Sequence, residues 1–221
     1  MRIYYFILIA LGVIFSHAHG TTSTYHTSVV FGSPKAPVTI TELVAPTCHV
    51  CSDFSQTLVP KITQHYVRKG KVRLIIIPLT YNYVDLKASQ LILGMPNPKQ
   101  MYANVFKSQD KWLLKKDPLS ALKSVLVKQG VSLQDIKKSE NNKPLETFLI
   151  QQRMDLEKRY DIEAIPMCII GQKKIIGLTP WKDLKKHIDE ALLFIKRGGR
   201  LENFGKKNDK QSKNKRKKIS H

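Results

Sequence analysis

Cys48 and Cys51 stand three residues apart at the end of an apolar run, with a histidine and a valine between them. Cysteines at this spacing can ligate a metal ion, form a labile disulfide that exchanges with substrate thiols, or occur together by chance. The chain has three cysteines in all, which is too few for a disulfide-stapled scaffold. The pair is therefore the first candidate for a chemical site.

Zinc is the rival interpretation of the pair, and it would require two further ligands. His65, His187 and Cys168 could supply them, but no two of these residues form a second closely spaced pair. The spacing therefore favours redox chemistry, and we expect neither a metal ion nor another cofactor.

A strand, a helix and a second strand are predicted around the pair. Residues 38–45 (VTITELVA) are typical of a buried strand that ends at Pro46. Residues 48–69 carry apolar side chains at four-residue spacing, which predicts a helix with a kink at Pro60. Residues 71–79 are apolar enough for a central strand. These elements form a right-handed βαβ unit with Cys48 at the N-terminus of its helix.

This position gives the two cysteines different chemical tasks. Unpaired N–H groups and partial positive charge at a helix N-terminus stabilise a thiolate, so Cys48 is expected to attack a substrate sulfur. Cys51, one turn later and more buried, is expected to resolve the mixed disulfide. His49 would favour the Cys48 thiolate when protonated; the alternative is a solvent-facing residue in an exposed loop.

The rest of the chain alternates between helical and strand patterns. Residues 84–160 contain helical segments separated by proline, glycine and asparagine. AIPMCII and KKIIG are predicted to be two short strands joined by a turn at Gly171 and Gln172. A final helix is predicted between Pro180 and a glycine pair.

The N-terminal sequence is typical of an export signal. Arg2 precedes an apolar run from Ile3 to Phe15, followed by small residues suited to cleavage, so residues 1–18 are predicted to be a signal peptide. An uncleaved membrane anchor is the alternative. Export would expose the cysteine pair to an oxidising compartment such as the periplasm.

Positive charge is concentrated at the C-terminus. The formal net charge is +20, and residues 196–221 hold eleven Lys or Arg against two acids. Residues 198–221 are therefore predicted to be a basic, disordered tail, which could contact an anionic surface or simply be solvated. Beyond Phe204 no aromatic residues interleave the charges, so no specific nucleic-acid partner is expected.

Together with AIPMCIIGQKKIIG near the C-terminus, the motif VTITELVAPTCHVC resembles the DsbA-like thiol-disulfide oxidoreductases of the bacterial periplasm. The resemblance implies an α/β protein, a thioredoxin fold with an inserted all-helical domain. The fold would consist of residues 28–83 and 161–197, and the insertion of residues 84–160. It implies cysteine-containing exported proteins as substrates, and a membrane or soluble redox partner that resets the site.

The resemblance also assigns roles to three residues outside the pair. Pro166 would be a cis proline that faces the cysteines and docks substrate backbone, and Ile165 would precede it. From sequence alone, an Ile-Pro bond is more often trans. Glu42, six residues before Cys48, would be a buried acid beneath Cys51 that relays its proton. The alternative for Glu42 is a carboxylate at the core edge that pairs with a lysine.

Two features leave parts of this interpretation open. The histidine follows the first cysteine, whereas strongly oxidising members carry it before the second, and Ile165 is more thioredoxin-like. An isomerase or a reductase is therefore an alternative to an oxidase, and a redox-inactive binding module that uses its basic tail is another. Cys168 is expected to be a buried small hydrophobe, or otherwise a third redox thiol.

Overall fold

The computed structural model of the protein describes residues 25–205. The expected signal peptide, residues 1–18, and the basic segment 206–221 lie outside the described residues. Within the described part, a mixed β-sheet carries helices on its faces, with a block of helices inserted between its third and fourth strands. The expected α/β class with a helical insertion is confirmed.

In the described residues the sheet has five strands, Val29–Phe31 (β1), Val38–Val44 (β2), Val72–Pro78 (β3), Met167–Ile170 (β4) and Lys173–Ile176 (β5), in the order β1-β3-β2-β4-β5. β2 and β3 are parallel and are joined through a helix, which confirms the predicted βαβ unit, and the other neighbours are antiparallel. The edge strand β1 was not predicted, because three residues are too few to show an alternating pattern.

The helix of the βαβ unit, α1, spans His49–Ile62 and continues as a π-helical segment, Thr63–Val67. It passes through Pro60, which has no N–H to donate to the preceding turn. The buried side chains of α1 recur at helical spacing, as the apolar pattern predicts, and the apolar ones pack in the same core cluster as buried residues of the sheet. The change to π geometry was not predicted.

Six helices connect β3 to β4. They occupy residues 84–160, the range predicted to be helical, apart from Tyr83 at the start of the first of them. The bounds are Tyr83–Gly94 (α2), Pro98–Lys107 (α3), Gln109–Trp112 (α4), Pro118–Lys128 (α5), Leu133–Glu140 (α6) and Lys143–Tyr160 (α7). The last helix, α8, spans Trp181–Lys196 and follows the sheet.

The two faces of β2 belong to different parts of the core. Val38, Ile40 and Val44 share one face with Glu42 and pack in the larger cluster, which also contains buried side chains of α1 and α8. Leu43 points to the opposite face and packs in a smaller cluster with Leu156 of α7. The acidic residue therefore lies on the same face of the sheet as the cysteine-bearing helix.

The prediction that a disordered tail begins at residue 198 is wrong, because the first residues of that segment are folded. A 3₁₀ turn spans Leu201–Asn203, and Leu201 and Phe204 pack against the core. The Phe204 carbonyl accepts a hydrogen bond from the backbone N–H of Gln172 at 2.6 Å. The two apolar side chains hold the chain against the β4–β5 hairpin, so ordered packing continues to the end of the described residues.

Candidate active site

Cys48 is the N-cap of α1, where the chain turns from β2 into the helix. Its backbone is extended, and its Sγ accepts a hydrogen bond from the Cys51 amide at 3.1 Å. The two cysteines form a disulfide with their Cα atoms 5.2 Å apart. No acidic residue lies in the first turn of α1, so nothing there offsets its partial positive charge. The geometry favours a thiolate at Cys48.

The two sulfur-bearing residues differ in access to solvent, as predicted. Cys48 is half-buried, whereas Cys51 is fully buried in the larger core cluster. His49 and Val50 lie between them, and both are exposed at the surface of the first helical turn. A substrate thiol can therefore approach Cys48 but not Cys51.

Ile165 and Pro166 lie next to the disulfide, although they are more than a hundred residues away in sequence. The Cys48 Sγ is 3.9 Å from the Ile165 carbonyl oxygen, and the Ile165–Pro166 peptide bond is cis. The Pro166 carbonyl accepts a hydrogen bond from the Gly177 amide at 2.8 Å, which ties the segment to the end of β5. One wall of the site is therefore formed by the chain that leads into β4.

Glu42 is completely buried on β2, and neither carboxylate oxygen has a hydrogen-bond partner within the described residues. Removal from water raises the pKa of its carboxyl well above the ordinary value. The alternative of a core-edge glutamate paired with a lysine is therefore wrong. A carboxyl with a raised pKa, on the face of the sheet toward α1, is suited to proton transfer.

Two other titratable side chains share this buried region with Glu42. Cys168 on β4 lies opposite Glu42 in the antiparallel register, and Tyr102 of α3 is also buried. Burial raises the pKa of the Cys168 thiol, and the Glu42 carboxylate raises it further. Burial also raises the pKa of Tyr102, and the Glu42 carboxylate raises it further. The expectation that Cys168 is a buried small side chain is confirmed.

Asp85 and Gln109, both from the inserted helices, also reach the site and were missed by sequence reasoning. Asp85 accepts a hydrogen bond from the Thr47 amide, and Gln109 donates to the Cys48 carbonyl. Asn82 and Asp85 at the start of α2 carry a capping signal, but this signal predicts only where the helix begins. Gln109 carries no signal at all.

Within residues 25–205, no cluster of three or more His, Cys, Asp or Glu side chains could hold a metal ion. Over the same residues, no helix is long and apolar enough to cross a membrane.

The fold and the site have the arrangement of a thioredoxin-like protein with a redox-active cysteine pair: a mixed sheet, a disulfide at the N-terminus of α1, a cis proline whose preceding carbonyl oxygen lies 3.9 Å from Cys48 Sγ, and an inserted block of helices. The chain belongs to the thioredoxin family, whose family model matches residues 24–190. The thioredoxin fold with an inserted helical region, expected from sequence, is thereby confirmed.

Individual relatives agree with this assignment. A Rickettsia conorii protein named as a protein-disulfide oxidoreductase is 26% identical over 125 residues, or 55% of this chain, and the match spans only 45% of that relative's length. Disulfide bond formation protein D of Bacillus subtilis is 25% identical over 175 residues, covering 74% of this chain and 76% of the relative. The crystal structure of Wolbachia pipientis alpha-DsbA1 superposes with a TM-score of 0.67 at 23% identity, covering 74% of this chain and 89% of that one.

Proposed function

We propose that this protein is an exported thiol-disulfide oxidoreductase that forms disulfides in secreted or periplasmic proteins through Cys48 and Cys51. The observation that carries the proposal is the half-buried Cys48 sulfur at the N-cap of α1, disulfide-bonded to a buried Cys51. The names of the relatives from Rickettsia and Bacillus point to the same chemistry.

In the proposed reaction, a substrate thiolate attacks Cys48 Sγ and breaks the Cys48–Cys51 bond, so that both electrons of that bond stay on Cys51 Sγ. Protonated Glu42 returns a proton to Cys51. A second substrate thiolate then attacks the substrate sulfur of the mixed disulfide and releases the Cys48 thiolate. The substrate has lost two electrons and gained a disulfide, and the protein is left reduced.

The site residues beyond the cysteine pair serve these steps. Pro166 and Ile165 would dock the substrate backbone, supported by the 3.9 Å approach of Cys48 Sγ to the Ile165 carbonyl oxygen. His49, when protonated, would stabilise the Cys48 thiolate from its exposed position in the first turn.

The proposed partners follow from the chemistry. Substrates are cysteine-containing exported proteins, and a membrane or soluble redox partner takes two electrons from the reduced pair to reset it. The setting is the periplasm, reached through the signal peptide at residues 1–18. The basic tail contacts an anionic surface.

The test is oxidation of a reduced peptide that contains two cysteines, followed as loss of free thiols. The wild-type protein in its disulfide form should oxidise one peptide per protein, and a Cys48→Ala variant none. A Cys168→Ala variant is the matched control and should behave as wild type, because Cys168 is buried away from solvent. A wild type that oxidises no more peptide than Cys48→Ala would contradict the proposal and, if both are inactive, leave the redox-inactive binding module.

A further inference from the structure

The loop that carries the reactive cysteine, residues 46–48, is held from outside the thioredoxin-like part of the chain. Asp85, in the first turn of α2, accepts a hydrogen bond from the Thr47 amide through Oδ1 at 2.8 Å. The Asn82 side chain caps α2 by accepting from the Asp85 amide at 2.8 Å. Asp85 is 1% exposed. Its carboxylate is therefore fixed by the helix start and directed at the loop.

A second contact comes from another inserted helix, α4. Gln109, the first residue of α4, donates through Nε2 to the Pro46 carbonyl at 2.7 Å and to the Cys48 carbonyl at 3.1 Å. Gln109 is 3% exposed, so water cannot easily take its place as the hydrogen-bond donor to the two carbonyls. One side-chain amide thus spans the backbone of the whole loop.

A third contact fixes the helix that follows the loop. The hydroxyl of Ser52 in α1 donates to the Phe106 carbonyl of α3 at 2.9 Å, and both residues are buried. The first turn of α1 and the loop before it are therefore both attached to the inserted helices.

These bonds bear on reactivity because the thiolate of Cys48 depends on its placement at the helix terminus. Its Sγ lies 3.1 Å from the Cys51 amide only while the backbone of residues 46–48 holds Cys48 at the N-cap. Hydrogen bonds to a thiolate favour the reduced state, and a more stable reduced state makes the disulfide a stronger oxidant. If the loop were loosened, the hydrogen bond to the Cys48 thiolate would weaken and the disulfide would become a weaker oxidant.

We propose that Asp85 and Gln109 are positioning residues through which the inserted helices set the redox equilibrium and the rate of the Cys48–Cys51 pair. This inference rests on the proposed function. Neither side chain touches the reacting sulfurs; each acts through the backbone of residues 46–48. The insertion is thus part of the catalytic apparatus as well as a cover for the sheet.

Three variants separate the positioning contacts from other effects. Asp85→Ala removes the acceptor for the Thr47 amide, whereas Asp85→Asn keeps an oxygen acceptor and removes the charge. Gln109→Met keeps length but loses both donated bonds. Asp135→Ala is the matched control, because Asp135 occupies the same place after the N-cap of α6 but is exposed and hydrogen-bonds to Ser132 of its own cap instead of the loop.

Each variant is equilibrated with glutathione, and kcat and KM are measured for oxidation of a reduced dithiol peptide. We expect Asp85→Ala and Gln109→Met to shift the glutathione equilibrium toward the oxidised protein by about threefold to tenfold, as loss of one hydrogen bond implies. Their kcat should fall about tenfold, because misplacement of a reacting atom is costly. KM should stay within about twofold, since neither residue contacts the peptide. Asp85→Asn should show no shift toward the oxidised protein, and Asp135→Ala should match the wild type.

Two results would overturn the inference: a wild-type equilibrium and kcat in both Asp85→Ala and Gln109→Met, or an Asp85→Asn variant as impaired as Asp85→Ala. If Asp85→Ala does not fold, Gln109→Met decides alone. A wild-type protein that oxidises no dithiol peptide contradicts the proposed function itself. An active wild type with unshifted variants contradicts only the positioning role.

Discussion

Cys168 lies directly opposite Glu42 in the antiparallel pairing of β4 and β2, and the two residues are 2% and 0% exposed. A thiol is thus the cross-strand neighbour of a carboxyl group that has no hydrogen-bond partner in the described part of the chain. This pairing supplies no charge to neutralise Glu42, so the carboxyl group depends on its own proton to remain buried at low cost.

Replacement of Glu42 by Gln should stabilise the protein at high pH. Because burial raises the pKa of Glu42, the folded state binds a proton that the unfolded chain has released. Wild-type stability is therefore lost as pH rises from about 4.3 toward the folded-state pKa. Gln does not titrate, so we expect equal stability near pH 4 and a gain of about 1–3 kcal/mol at pH 8, measured by urea denaturation of the oxidised proteins.

Glu163→Gln is the control for that experiment, since Glu163 is exposed. It should leave the pH dependence of stability as in the wild type. A gain from Glu42→Gln that is equally large at pH 4 and pH 8 would attribute the effect to packing instead of titration.

Replacement of Cys51 by Ser should trap a mixed disulfide on Cys48. With oxidised glutathione, the Cys48 thiolate attacks one sulfur and releases the other as glutathione thiolate, and no resolving thiol remains. Mass spectrometry of the intact variant and its peptides should find one glutathione, on Cys48. In Cys48→Ser the buried Cys51 should react far more slowly; an adduct on Cys168 would make that residue a third redox thiol.

Replacement of Cys168 by Ala should cost stability without loss of redox function. The thiol is buried, so its removal leaves a small void and should lower the free energy of unfolding by about 1 kcal/mol. The glutathione equilibrium of the cysteine pair should change by less than about twofold. Thermal unfolding and the equilibrium constant are measured on the same preparation, and a larger redox shift would mean that Cys168 takes part in proton transfer from Glu42.

Two C-terminal truncations should differ in their effect on stability. Removal of residues 206–221 should leave the melting temperature and the thiol chemistry intact, because Ile219 is the only large apolar side chain in that segment. Removal of residues 198–221 also deletes Leu201 and Phe204, which pack against the core. It should lower the melting temperature by several degrees, corresponding to about 2–4 kcal/mol of lost burial. Equal melting temperatures would contradict the packing of this turn.

Sequence patterns predicted the helices and strands in which apolar residues recur at a regular spacing. The buried face of α1 follows helical spacing, and the strands on either side of it are rich in β-branched and other apolar residues, so the positions of these elements could be predicted without tertiary information. Glu42 could be singled out because a carboxyl group inside such a run is costly. The three-residue β1 and the one-turn α4 are too short to carry any period.

The contacts that hold the active-site loop could not be predicted in the same way. Asp85 and Thr47 are separated by 38 residues, and Gln109 and Cys48 by 61. Such pairs are decided by how the inserted helices pack onto α1, and neither residue type is unusual at its position. The sequence therefore identified only those site residues that belong to a motif. The contacts that support them could be found only in the structure.

The reduction potential of the Cys48–Cys51 couple tests the central claim most directly. The Cys51 amide and the N-terminus of α1, whose first turn carries no acidic residue, both stabilise a reduced Cys48, which makes the disulfide oxidising. Val50 gives the thiolate no side-chain hydrogen bond, so the couple should oxidise less strongly than the extreme members of its class. Equilibration against glutathione should give a potential between about −230 and −120 mV; a value near or below that of thioredoxin, about −270 mV, would contradict the oxidase and assign the protein to the reductases.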